Sequence, residues 1–447
     1  MFTSSLVNPE FLSKRSSSSK FNVYKTALSS FESLSSQALE QFQSRNFPLA
    51  FDLAQKCLTF ASSKNFPDGK TVNIRLILVT SAIYTSSLST QELQCHFSNL
   101  SRLLSFISAN KPLYILYLQT LALFERQCNN INSAISCYKQ AISVYSSTIS
   151  TLHPPPASSL IFSLHKDLAM THLLFSSSDH ISSAAGHLLQ CTEMSEPESE
   201  LASIYLSLSY CFSSLSLFSK ALRYIDKLLD IDSLSKEEKL SALVIQAKCL
   251  LYLNNHDDCL RVAETGIQLA EADGDYLKYL NFCNISGWIH LHNQNERQCL
   301  FFFKSVQHFE KCEIQNFELY SDEYFNIVNE SLLGLSWLYF RSSEFLKSLN
   351  ILNQFSMSNT SKQLLISFYK CKILNLFNLQ HFEQAQEIAL TATSLFKESE
   401  DTFLAFLYSI LGCIYQCTND TIAALNSFRK SIVLLRKSSD SNEKICW

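Results

Sequence analysis

Glycine and proline are scarce in this chain, 7 and 8 residues among 447, where ordinary soluble proteins carry roughly 7% and 5%. Hairpin turns and phosphate-cradling loops draw on glycine for positive φ and on proline for a preset φ. Hairpin-rich sheets and nucleotide-binding loops are therefore excluded as the main architecture. Charge is thin too: 17% of residues, with 36 Lys and Arg against 40 Asp and Glu. A nucleic-acid binder that neutralises phosphates needs a strongly basic face, and this balance argues against direct nucleic-acid binding. The one long uncharged run, residues 201–219, holds seven serines, which suits a buried soluble helix better than a bilayer span. The motifs of common chemistry are missing as well. There is no Walker A loop, GxGxxG, HExxH, GxSxG or zinc-ligand spacing, so neither a catalytic site nor a cofactor is expected.

What remains is apolar and helical. Hydrophobic residues make up 47% of the chain, enough for a large core, and at this length either several domains or one extended array. The 15 cysteines form no CxxC pair and most sit inside apolar runs, the pattern of reduced core thiols in an intracellular, nuclear or cytoplasmic protein. Residues 1–20 combine Lys14, Arg15, Lys20 and the run Ser16 to Ser19 without the apolar stretch of a secretory signal. Residues 1–30 read as a serine-rich disordered tail and 438–447 as a second tail. His165 and His172 lie seven apart on one helical face with no acidic or cysteine partner nearby, and they read as surface or groove histidines, as do His290 and His292. The acidic run Glu310 to Glu323 lacks the order of a calcium loop; residues 314–327 read as a solvated insert.

Self-similarity at a fixed period is the strongest signal. Tyr408-x2-Leu411-Gly412-x2-Tyr415 is followed by Ala424-x3-Phe428-x2-Ser431. The first group puts a small residue where two helices cross closely, and the second begins a partner helix with a small residue and an aromatic one turn later. The frame recurs as Tyr205, Leu208, Ser209 and Phe212 with Ala221, Ile225 and Leu228, and in further copies led by Leu243, Cys283, Leu332 and Tyr369. The period is about 37 to 40 residues apart from the insert, and looser copies reach back to Leu34.

This pattern resembles the tetratricopeptide repeat (TPR) family over residues 31–437, though the family's proline at the end of the second helix is missing and the units exceed 34 residues. The resemblance implies an all-α solenoid of about ten antiparallel helix pairs, wound as a right-handed superhelix. The loop at 151–159, with Pro154-Pro155-Pro156, is where the pitch is expected to change. It also implies that the first helix of each pair lines a groove for an extended peptide segment of a larger protein partner. The groove residues expected on that basis are Tyr210, Lys248, Tyr252, Asn284, Trp288, Trp337, Phe340, Lys370 and Phe377. Such a groove is too apolar to resemble that of the chaperone-tail-binding members. The long-unit, all-repeat architecture looks like the helical-repeat subunit of the cohesin loader, next like those of the anaphase-promoting complex, and less like a cargo adaptor.

Overall fold

The computed structural model describes residues 18–149, 158–175, 177–194, 198–309, 317–358, 360–396 and 401–440. These residues form 21 helices and no strand, and the chain divides into two compact units, 1–215 and 216–447. The first unit holds α1 (Ser18–Gln43), α2 (Phe47–Ser63), α3 (Asp68–Thr85), α4 (Thr90–Arg102), α5 (Leu104–Ala109), α6 (Lys111–Gln127), α7 (Ile131–Ile149), α8 (Ser158–His172), α9 (Ser178–Thr192) and α10 (Glu198–Ser214). The second holds α11 (Phe218–Leu229), α12 (Lys236–Tyr252), α13 (His256–Asp273), α14 (Tyr276–His292), α15 (Glu296–Gln307), α16 (Phe317–Arg341), α17 (Phe345–Leu352), α18 (Lys362–Asn378), α19 (Phe382–Leu395), α20 (Asp401–Cys417) and α21 (Thr421–Asp440). The fold is TPR-like: within each unit, antiparallel helix pairs pack on their neighbours.

One turn repeats between the helices of a pair. Asn254, Gln294, Ser343, Gln380 and Asn419 all take a positive φ, and the next residue's N–H reaches back to a carbonyl in the last turn of the preceding helix. Examples are Asn255 to Leu250 at 3.0 Å, Glu344 to Tyr339 at 2.8 Å and Asp420 to Tyr415 at 2.8 Å. This is the Schellman closure, which satisfies carbonyls that a helix end leaves bare. Asn129 in the first unit has the same sign of φ. Helix starts are chemically marked as well. Ser89 with Glu92 and Ser235 with Glu238 form reciprocal capping boxes, each side chain satisfying an amide that the first turn cannot.

The small-residue crossings are as close as the pattern requires. A methyl group built on Gly412 would sit 2.6 Å from Phe428, and one on Gly287 would sit 2.6 Å from Phe303. Gly334, on α16, meets the same Phe303 ring, so that fully buried phenyl is clasped between α14 and α16. Where the crossing residue is Ser336 instead, its hydroxyl bonds Ser348 at 2.6 Å, so the buried polar atoms satisfy each other.

Several expectations change. α1 starts at Ser18, inside the stretch assigned to the N-terminal tail, and α21 runs to Asp440. The insert at 314–327 is not a solvated loop from Phe317 onward. That segment is the first part of the 25-residue α16, because Tyr324 and Ile327, three apart on one face, are buried against Leu280, Cys283 and Val306. The uncharged run 201–219 is not one helix: residues 201–214 make up most of α10, and the run ends in the start of α11. No helix among the described residues is long and apolar enough to cross a membrane. The proline loop lies mostly outside the described residues; α7 and α8 on either side of it pack together, and the division into units falls at Leu215–Ser216.

Candidate functional site

Some first helices of successive pairs pack directly on each other, α1 on α3 and α3 on α6 in the first unit and α12 on α14, α14 on α16 and α16 on α18 in the second, whereas α6 and α8, α8 and α10, and α18 and α20 do not pack as closely. Among the described residues no such close packing joins successive second helices. The first-helix side is therefore the tighter one over α1–α6 and α12–α18, and a stack tighter on one side is concave there. Two tyrosines mark the hollow. Tyr84 is 41% exposed and Tyr252 is 59% exposed, yet surrounding protein raises the pKa of both phenols, mainly through desolvation.

In the first unit a cluster of polar groups joins α6, α7 and α8 near Tyr84. Gln119 of α6 donates to Ser163 at 2.8 Å and to Asp167 at 3.1 Å, both on α8. Burial raises the pKa of Asp167, while the Gln119 hydrogen bond and the nearby Arg126 and Lys166 charges pull the other way. Asp167, Arg126 and Arg45 all act on the Tyr84 phenol, whose ring stacks on Phe47 at 4.3 Å. Arg126 is half-buried and, among the described residues, has no ion pair. Tyr138, a core residue of α7 with no exposed surface, brings a buried hydroxyl without a hydrogen-bond partner into range of Asp167 and Arg126. At the rim, Glu200 of α10 joins Lys166, at 2.6 Å, to Arg45 from the α1–α2 turn.

None of these residues is among those expected from sequence. Their only linear signal is a polar side chain inside an apolar helical run, as with Gln119 in α6 and Asp167 in α8.

The expected residues separate into three kinds. Tyr210, 51% exposed on α10, and Tyr252 present open aromatic surface, and Tyr252 stacks on Phe218 with ring centroids 4.9 Å apart. Asn284 is not a surface group: it is 1% exposed and its amide donates to the Ile327 carbonyl at 2.8 Å. Polar groups at inter-repeat contacts are buried when a backbone partner is in reach, and α16 supplies one. The remainder are half-buried. Trp288 packs edge-on to Phe303 at 5.6 Å, Trp337 to Phe340 at 5.4 Å, and Phe377 to Phe382 at 5.7 Å. Lys248 reaches Asn281 at 3.5 Å, and Lys370 lies over the rings of Phe403 and Phe406. Both tryptophans join the clusters between repeats.

The histidines also differ from expectation. His165 and His172 are buried, and they meet His187 and His180 of α9. Among the described residues no group of three or more His, Cys, Asp or Glu is arranged to hold a metal ion.

No protein-family model matches the sequence, and no curated protein matches it. Solved structures similar in fold include the apo form of RapI, at 12% identity over 92% of this chain and 98% of that one with a TM-score of 0.43. A signal-transduction ATPase with a tetratricopeptide repeat sensor from Pyrococcus horikoshii shares 13% identity over 88% of this chain and 54% of its own, with a TM-score of 0.49. The anaphase-promoting complex hetero-tetramer Cut9-Hcn1 shares 12% over 96% and 99%, with a TM-score of 0.40. None of the three reaches 0.5, and the TPR-like architecture rests on this chain's own turns and crossings.

Proposed function

We propose that the protein is a non-catalytic interaction scaffold that holds an extended segment of a partner protein along its first-helix faces. One observation carries this reading: successive first helices pack more closely than second helices over α1–α6 and α12–α18, which would curve each stack toward the face that carries the exposed Tyr84 and Tyr252. A recess lined by aromatic faces, an amide, a guanidinium and a carboxylate suits a peptide, whose backbone offers alternating donors and acceptors and whose side chains need apolar cover. Tyr210 and Tyr252 are the aromatic anchors proposed from the earlier set, with Tyr84, Gln119, Arg126 and Asp167 added. Trp288, Trp337, Phe340, Phe377, Lys248 and Lys370 would support the wall from between the repeats. As to the assembly, the favoured reading is a subunit of the cohesin-loader type, ahead of an anaphase-promoting-complex type or a cargo adaptor.

The test is affinity purification from native cells with identification of the co-purifying chains, repeated with Tyr84→Ala/Arg126→Gln, with Tyr252→Ala and with Phe301→Ala. Phe301, on the second helix α15, is 62% exposed and serves as the control. The groove variants should weaken a specific partner about tenfold or more with unchanged melting, and Phe301→Ala should not. Loss of the partner through Phe301 alone, with both groove variants binding normally, would move the function off the recess.

A further inference from the structure

α8 and α9 are antiparallel neighbours, and each carries two histidines seven residues apart. The antiparallel register brings them together in crossed pairs, His165 Nδ1 to His187 Nδ1 at 3.0 Å and His172 Nδ1 to His180 Nδ1 at 2.8 Å. The rings of His172 and His187 stack between the pairs at 6.0 Å, so the four imidazoles form a ladder along the seam of the hairpin. His165 and His172 are buried, and His172 Nε2 has no hydrogen-bond partner.

Two facing ring nitrogens at this distance hold one proton between them: one imidazole donates N–H and the other accepts with its lone pair. A second proton converts the acceptor into a donor. Two N–H groups then face each other across the seam, with positive charge buried where no carboxylate compensates. The charged groups acting on the rings are the other imidazoles and, from α7, Lys139, which opposes a further positive charge. On α10, Glu200 is already engaged by Lys166 and Arg45, and Asp167 of α8 is bonded to Gln119 of α6.

We propose that the α8–α9 hairpin is an acid-sensitive element, held closed by two neutral histidine pairs and loosened when those pairs take up a second proton. The device matters beyond its own seam, because α8 also presents Ser163, Lys166 and Asp167 to the polar cluster near Tyr84. Acidification would therefore disturb that cluster from behind.

The direction follows from linkage. Burial lowers the pKa of both His165 and His172 from 6.5 to about 4, with His187 and His180 respectively adding to the effect. The closed hairpin thus binds fewer protons than the open one below pH 6.5. Its stability is complete above that value and declines as pH falls from 6.5 towards 4. Between pH 7.5 and 5.5 the opening equilibrium should rise roughly tenfold for each histidine that titrates independently.

The experiment is hydrogen–deuterium exchange on the full chain between pH 7.5 and 5.5, corrected for intrinsic exchange and referenced to the α20–α21 hairpin. Protection across 158–192 should fall by roughly tenfold or more relative to that reference, and His165→Gln/His172→Gln should remove most of the pH response. Ring titration of the unmodified protein by NMR guards against a variant that fails to fold: two histidines should stay neutral down to pH 5 in the closed state. A 158–192 segment that tracks the reference hairpin at every pH would overturn the proposal. So would a folded glutamine variant that keeps the full response, or histidines that all titrate near 6.5.

Discussion

Phe303 shows how little room a single residue has in this fold. Its ring fills the space that a side chain on Gly287 or Gly334 would occupy, so one phenyl sets the distance between α15 and both neighbouring first helices. Gly412 and Phe428 repeat the arrangement near the C-terminal end. Gly412→Leu would have to displace the Phe428 ring and the helix behind it, and overpacking of that kind costs roughly 1 to 3 kcal/mol. A lower melting point for the α20–α21 region, with the α1–α3 region unchanged by hydrogen exchange, is the expected outcome. The cysteines make a second residue-scale prediction. Burial pushes the thiols of Cys57 and Cys371 up to about 11 and that of Cys259 to about 12, whereas Cys95 and Cys417 are exposed. Because the thiolate is the reactive form, iodoacetamide at neutral pH should label Cys95 and Cys417 well before the buried three, as read by mass spectrometry.

At the scale of the element, the turns carry the repeat more faithfully than the side chains do. Five turns of the second unit share one backbone closure, yet the residue at the positive φ is Asn, Gln or Ser and never glycine. A side chain other than Asn or Asp in that region carries a steric cost of about 1 to 2 kcal/mol. Gln294→Gly should relieve part of it, raising stability by up to about 1 kcal/mol after the added flexibility of the unfolded chain is counted, whereas Gln294→Val should destabilise. Denaturant midpoints of the two variants check the sign. α16 shows where local reading fails. Its first part is rich in acidic and polar residues and looks solvated, but Tyr324 and Ile327 gain a buried surface from α14 and α15 that no feature of residues 314–327 announces.

For the whole molecule, charge sets the expected manner of binding. Two of the described cations near Tyr84, Arg45 and Lys166, are paired with Glu200, and Arg126 lies within electrostatic range of Asp167, so few counterions would be released on binding. Partner affinity should change by less than about tenfold between 50 and 200 mM salt, far less than for a protein that neutralises several phosphates. A steep salt dependence in a binding titration would point to charge capture instead.

The sequence by itself determined the helical class, the repeat period and the close crossings at Gly287 and Gly412, because these follow from volume and spacing within a single helix pair. Gln119, Asp167 and Arg126 come together, and His165 meets His187, only because tertiary packing sets α6, α7, α8 and α9 side by side. The same packing turned Asn284 inward, where the Ile327 carbonyl of α16 could satisfy it, and placed Trp288 and Trp337 between repeats. Which side of a helix is recess and which is seam depends on the neighbouring repeat. A pattern read along one helix is blind to that, since a bulky apolar residue satisfies either environment while a polar one must wait for its partner to arrive from another helix.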